Sequence, residues 1–164
     1  MIIDSLTQFA DGEDTGAVGT NLRGDVVDLW ATGLVNNVSS NVGGQRDIGN
    51  GQPMYLFVKV DEDIEASSGG TYQVELVSAS NEAITNDVTV HVVSGVFDSG
   101  STIEAGTVLI HVALPMEGPE YQRYLALREV VGEENTSDGQ VSGFLVFDPH
   151  GWKAYPQADV AFPV

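Results

Sequence analysis

The chain has 164 residues, no cysteine, and 24 Asp plus Glu against 6 Lys plus Arg, for a formal net charge of -18 at pH 7. That length suits one ordinary domain with a continuous core, and the missing cysteines leave neither disulfides nor a thiolate for nucleophilic or soft-metal chemistry. So acidic a surface repels phosphate backbones, so no nucleic-acid partner is expected.

No apolar run approaches the roughly 20 residues of a membrane helix, so no membrane partner is expected. Met1-Ile2-Ile3-Asp4-Ser5 lacks the basic start of a signal peptide, and synthesis in the cytoplasm is expected.

In chain order, residues 1–20 read as an extended N-terminal arm. Ile2, Ile3, Leu6 and Phe9 form a short apolar patch, followed by a small, polar, Gly-rich run. The patch is expected to dock on the chain's own sheet or on a neighbouring subunit. Residues 21–164 then form a single domain. Residues 25–30 are its first compact strand, and residues 31–51 are a long loop rich in Asn, Ser and Gly, of the kind that serves function or is ordered by a partner. Arg46 opens the turn chemistry that closes this loop.

Residues 54–60 alternate: Met54, Leu56, Val58 and Val60 face the core, while Tyr55, Phe57 and Lys59 share the other phase. An acidic loop over 61–70 leads to a second period-two strand over 71–80. A turn-rich connection over 81–87 precedes Val88, Val90 and Val92, which alternate with Thr89 and His91. A brief Val96-Phe97 strand follows.

From Ile103 to Phe147, three apolar runs are separated by loops at 116–120 and 133–139 and read as the antiparallel centre of the protein. A helix over 120–131 is the rival within it, because Tyr121, Tyr124, Leu125 and Arg128 sit at helical spacing. A Pro-punctuated tail carries Trp152, Tyr155 and Phe162. About eight short strands with Gly-rich turns make an all-β protein, a jelly-roll-like β-sandwich with an extended arm and long loops.

The chemistry-bearing residues form no complete motif. His91, His111 and His150 lack the spacing that would turn two imidazoles toward one metal, which disfavours the metal chemistry of cupin-like enzymes. Asp61, Asp63 and Glu65 begin like a calcium loop, but Ala66 stands where a Gly is needed and Tyr72 where a bidentate Glu is needed. No Gly-X-Ser-X-Gly elbow occurs, and no Lys-Ser or Lys-Thr follows Gly43-Gly44. No enzyme, metal or cofactor is therefore expected.

Between Lys59 and Arg123 there is no basic residue, so the acidic surface serves solubility or steers the chain to a basic partner. Tyr55, Phe57, Trp152 and Tyr155 suit an interface. The tail alternatively packs back over the sandwich. A carbohydrate-binding jelly roll would instead use Tyr55, Phe57 or Trp152 as stacking platforms.

The order of features resembles a known family. Met1-Ile-Ile-Asp-Ser-Leu, Asp25-Val-Val-Asp-Leu, Arg46-Asp-Ile-Gly-Asn-Gly-Gln-Pro-Met-Tyr-Leu-Phe-Val-Lys-Val-Asp, and Ile103-Glu-Ala-Gly-Thr-Val leading to Tyr124-Leu-Ala-Leu-Arg together resemble the capsid cement, or decoration, proteins of short-tailed bacteriophages. The resemblance implies a jelly roll on the outer surface of the virion that bridges subunits of the major capsid protein. It also implies a homo-oligomer, a dimer being favoured over a trimer. The interface candidates are then Ile2, Ile3, Leu6, Phe9, Arg46, Tyr55, Phe57, Trp152 and Tyr155, with the 31–51 loop contributing contacts.

Overall fold

Alternating apolar and polar side chains with positive-φ punctuation build strands and turns, and the computed structural model, which describes residues 7–29, 53–66, 69–98 and 101–147, contains nine strands and no helix among those residues. They are β1 (Gln8–Asp14), β2 (Gly19–Asp28), β3 (Tyr55–Ala66), β4 (Thr71–Ala79), β5 (Thr89–Val93), β6 (Phe97–Asp98), β7 (Val108–Ala113), β8 (Tyr124–Gly132) and β9 (Thr136–Val146). One sheet has the order β1-β9-β3-β7. The other has the order β2-β8-β4-β5, with the short β6 also pairing β4.

All pairings are antiparallel, and four of them are nested: β1 with β9, β2 with β8, β3 with β7, β4 with β5. A long antiparallel ribbon folded over on itself gives this order, so the β-sandwich is a jelly roll.

The core lies between the sheets. Leu56, Val58 and Val60 of β3 and Leu145 of β9 meet Tyr72, Val74 and Leu76 of β4 and Leu125 and Leu127 of β8. Each outer face also carries a smaller apolar cluster. On the β4–β8 side, Val77, Ala79 and Ala126 are covered by Ile84 from the β4–β5 connection. Asn81 holds that connection in shape, since its side-chain oxygen accepts the N–H groups of Thr85 (3.1 Å) and Asn86 (2.8 Å).

Residues 124–132 form the expected strand and not the rival helix: β8 is central and covered on both faces, so its apolar run blurs the period-two signal. Two segments differ from the sequence reading, each for a physical reason. The acidic residues 61–66, expected in a loop, continue β3 against β9, with Ile64 buried and bridged to Ile103.

Within the expected arm, residues 8–14 are β1 and Phe9 is in the core. Register shifts on both sides of Ala10 and the positive φ of Gly12 let a Gly-rich, polar segment stay paired. Leu145 extends this ladder by donating its N–H to the Thr7 carbonyl at 2.8 Å. The loop at 31–51 and the tail lie outside the described residues.

The two ends of the sandwich are tied by hydrogen bonds. At one end the β1–β2 turn is laced to the β8–β9 turn: Thr15 donates its N–H to the Gly139 carbonyl (2.8 Å), Thr136 to the Gly16 carbonyl (3.2 Å), and Val18 to the Asn135 side chain (2.7 Å). At the other end, Gln122 joins the β7–β8 connection to β4 and β5 through Ser78, Asp87 and Thr89.

Candidate functional site

Of the predicted interface residues, the structure describes Phe9, Tyr55 and Phe57. Ile2, Ile3, Leu6, Arg46, Trp152 and Tyr155 lie outside the described residues. Phe9 is 1% exposed in the core, so it is a structural residue of the folded chain.

Tyr55 and Phe57 do occupy the outward phase of β3, as the alternation implies, but Phe57 is only 2% exposed. It stacks on Phe144 with ring centroids 5.5 Å apart and meets the edge of His111 at 5.6 Å, while Val146 completes the cluster and Tyr55 is half-buried beside it. A ring enclosed in this way offers no free face for a sugar to stack on.

Beside this cluster, Gln8, Asp11, Lys59, Asp61, Ser142 and Phe144 line a shallow cleft of about 210 Å³. Lys59 is ion-paired with Asp61 there. Asp63, further along β3, accepts the N–H of Ala105 at 2.7 Å. These carboxylates thus sit on a strand and serve local contacts. Among the described residues, no three His, Asp or Glu side chains converge in a way that could hold a metal ion.

The Ser–His contact in the fold is Ser78 with His91, at 2.7 Å. Ser78 is fully buried and its oxygen also accepts the Gln122 N–H at 3.1 Å, while the His91 ring stacks on Tyr121 with centroids 4.0 Å apart. A buried hydroxyl engaged on two sides fastens β4, β5 and the β7–β8 connection.

Burial holds the His91 pKa below its ordinary 6.5. The neutral ring is the folded form, so its stabilising contribution is complete above about pH 6.5. It declines as pH falls from there toward the lowered folded value, because the unfolded chain takes up the proton first. Urea titrations across this range are expected to show that decline in the wild type and a flatter profile in His91→Gln. An equally steep profile in the variant would remove His91 as its source.

A polar cluster that the sequence reading missed lies at the inner face of β8. Leu125, Leu127, Glu129 and Val131 share that face, and Glu129 is completely buried. One carboxylate oxygen accepts from Arg23 and, at 3.3 Å, from Asn21, both on β2. Hydrogen bonding to Glu129 raises the Arg23 pKa, and burial raises that of the neighbouring Tyr72 phenol. The run Leu-Arg-Glu-Val-Val carried the signal: with period two, an acid on the phase of Leu125 and Leu127 must point inward.

The other basic side chains of the described residues are also matched to carboxylates, Arg123 to Asp28 at 2.8 Å and Arg128 to Glu75 at 2.6 Å. Arg123 also lies over the Tyr124 ring, 4.8 Å from its centroid. With these cations held by intramolecular partners, the field that the described residues project is that of their excess acid.

No curated protein matches the chain. The family model Bbp16 matches residues 15–145, from the β1–β2 turn through β9 and more than three-quarters of the sequence. The chain, an acidic jelly roll, belongs to the Bbp16 family, a bacteriophage-associated family.

Proposed function

We propose that the protein decorates the outside of a bacteriophage capsid and stabilises it by bridging subunits of the major capsid protein, acting as a homo-oligomer. The observation that carries this reading is the match to a phage-associated family across nearly the whole jelly roll. The acidic surface supports it: oligomers whose chains each carry -18 repel one another in solution and gather where a lattice offers complementary charge. Repeated attachment sites multiply modest contacts into large avidity. The enclosure of Phe57 weakens the rival reading as a glycan-binding module.

The experiment is to add purified protein to capsids that lack it. Saturable co-sedimentation and a higher temperature or lower pH of capsid rupture are expected. Absence of binding at micromolar protein and low salt would overturn the proposal. Removing residues 1–6 is expected to lower occupancy, and unchanged occupancy would eliminate the arm as a contact.

A further inference from the structure

The margins of the sandwich are not equivalent. Along one side, β1 and β2 pack against each other, and their exposed positions include Asp11, Glu13, Asp14 and Asp25. Along the other, β5 and β7 make little mutual contact. Val90, Val93 and Val96 are exposed near β5, as are Val108 and Val112 on β7.

Neither β5 nor β7 carries a charged residue or a proline, the usual guards against unwanted strand pairing. Strand β5 is nevertheless irregular. A register shift at Val90–Val92 twists it, and His91 is tied to Ser78. Strand β7 pairs regularly with β3 from Ile110 to Ala113, and no strand of the described residues lies beyond it.

The main-chain groups β7 offers follow from its ladder. Leu114 donates its N–H to the Met54 carbonyl at 2.8 Å. In an antiparallel pair, facing alternates by residue, so Val112 and Ile110 also turn their N–H and C=O toward β3. His111 and Ala113 then turn theirs outward. Near the start of β7 lies a groove of about 330 Å³ whose walls include Phe97, Ile103 and Thr107, with Asp98 and Glu104 as acidic lips.

We infer that β7 is a docking edge for strand addition. Its occupant is an extended, alternately apolar segment of a partner chain, with Lys or Arg at the end that meets Glu104 and Asp98. The uncharged edge supplies main-chain hydrogen bonds through His111 and Ala113, and Val112 contributes apolar contact. The acidic lips set direction by charge complementarity. A second copy of this chain would bring another -18 to the same edge, whereas a basic segment relieves that charge. The inference rests on the decoration reading and assigns that segment to the major capsid protein.

The test uses full-length Ala113→Pro and His111→Pro, each of which removes one outward N–H and leaves the β3 ladder intact, together with Glu104→Lys. Capsid binding is measured by co-sedimentation over a salt series, oligomeric state by sedimentation equilibrium, and folding by thermal melting. Both proline variants are expected to bind at least about tenfold more weakly while keeping the wild-type oligomeric state. Glu104→Lys, which leaves the backbone untouched and stays informative if a proline costs folding, is expected to weaken binding and reduce its salt dependence.

Wild-type affinity in a folded proline variant, or unchanged binding and salt dependence in Glu104→Lys, would overturn the edge while leaving the decoration reading in place. Dissociation of the oligomer by the prolines, with capsid affinity per subunit unchanged, would identify a second copy as the occupant and also overturn it. Failure of the wild type to bind capsids sinks the decoration reading itself.

Discussion

Replacing Arg23 by Met is expected to destabilise the protein by about 3–5 kcal/mol, the usual cost of leaving one member of a buried ion pair behind. Glu129 is fully enclosed, and its second oxygen has no hydrogen-bond partner among the described residues, so the arginine is its main source of compensation. Without it the carboxylate is left buried and uncompensated beside Tyr72. Asn21, at 3.3 Å, is too weak a donor to substitute.

The double variant Arg23→Met with Glu129→Leu removes both charges and fills the same volume, and should recover most of the loss. Urea unfolding of both single variants and the double variant separates the coupling from the packing change. An Arg23→Met variant within about 1 kcal/mol of wild type would show that solvent already screens the pair, contrary to the burial of Glu129.

The sequence made this pair only half legible, and the same limit runs through the fold. Strands with a clean period-two alternation announced themselves: the alternations at 54–60, 71–80 and 88–92 correspond to β3, β4 and β5. Strand β8 was ambiguous because Leu125 and Leu127 pack inward while Ala126 packs outward under Ile84. Strand β1 was hidden because its polar, Gly-bearing sequence is kept in the sheet by bulges that no period reports.

Among the interface candidates, phase alone placed Tyr55 and Phe57 outward correctly. It could not reveal that Phe144 and Val146, from a strand nearly ninety positions away, would enclose Phe57. Nor does any local pattern say that Arg23 finds Glu129, 106 residues further on. The acidic balance was legible at once, but its consequence was not: only the fold reveals that the basic residues it describes are held by intramolecular partners.

Gly24→Ala is expected to be the most damaging small substitution, at a cost of at least about 3 kcal/mol from left-handed strain combined with overpacking. Gly24 has φ +67 and lies where β2 crosses under β1, within the shift between Arg23 and Val27 in the β2–β8 register. A Cβ there would fall 1.8 Å from the Phe9 carbonyl oxygen and 2.9 Å from the Ala10 Cα. Both are backbone atoms, so no rotamer change relieves the overlap. Strand β1 must move instead, and it takes the buried Phe9 with it.

The contact therefore closes one side of the jelly roll, and its loss should loosen β1 before the rest of the fold. Faster amide exchange and proteolysis within residues 8–14 are expected to accompany the lower stability. Gly118→Ala is the control, since its φ of +116 is also positive but nothing lies within 4 Å of the added carbon. Only the conformational cost remains there. Equal losses in the two variants would show that backbone strain, and not the crossing of β1 over β2, sets the requirement for glycine at position 24.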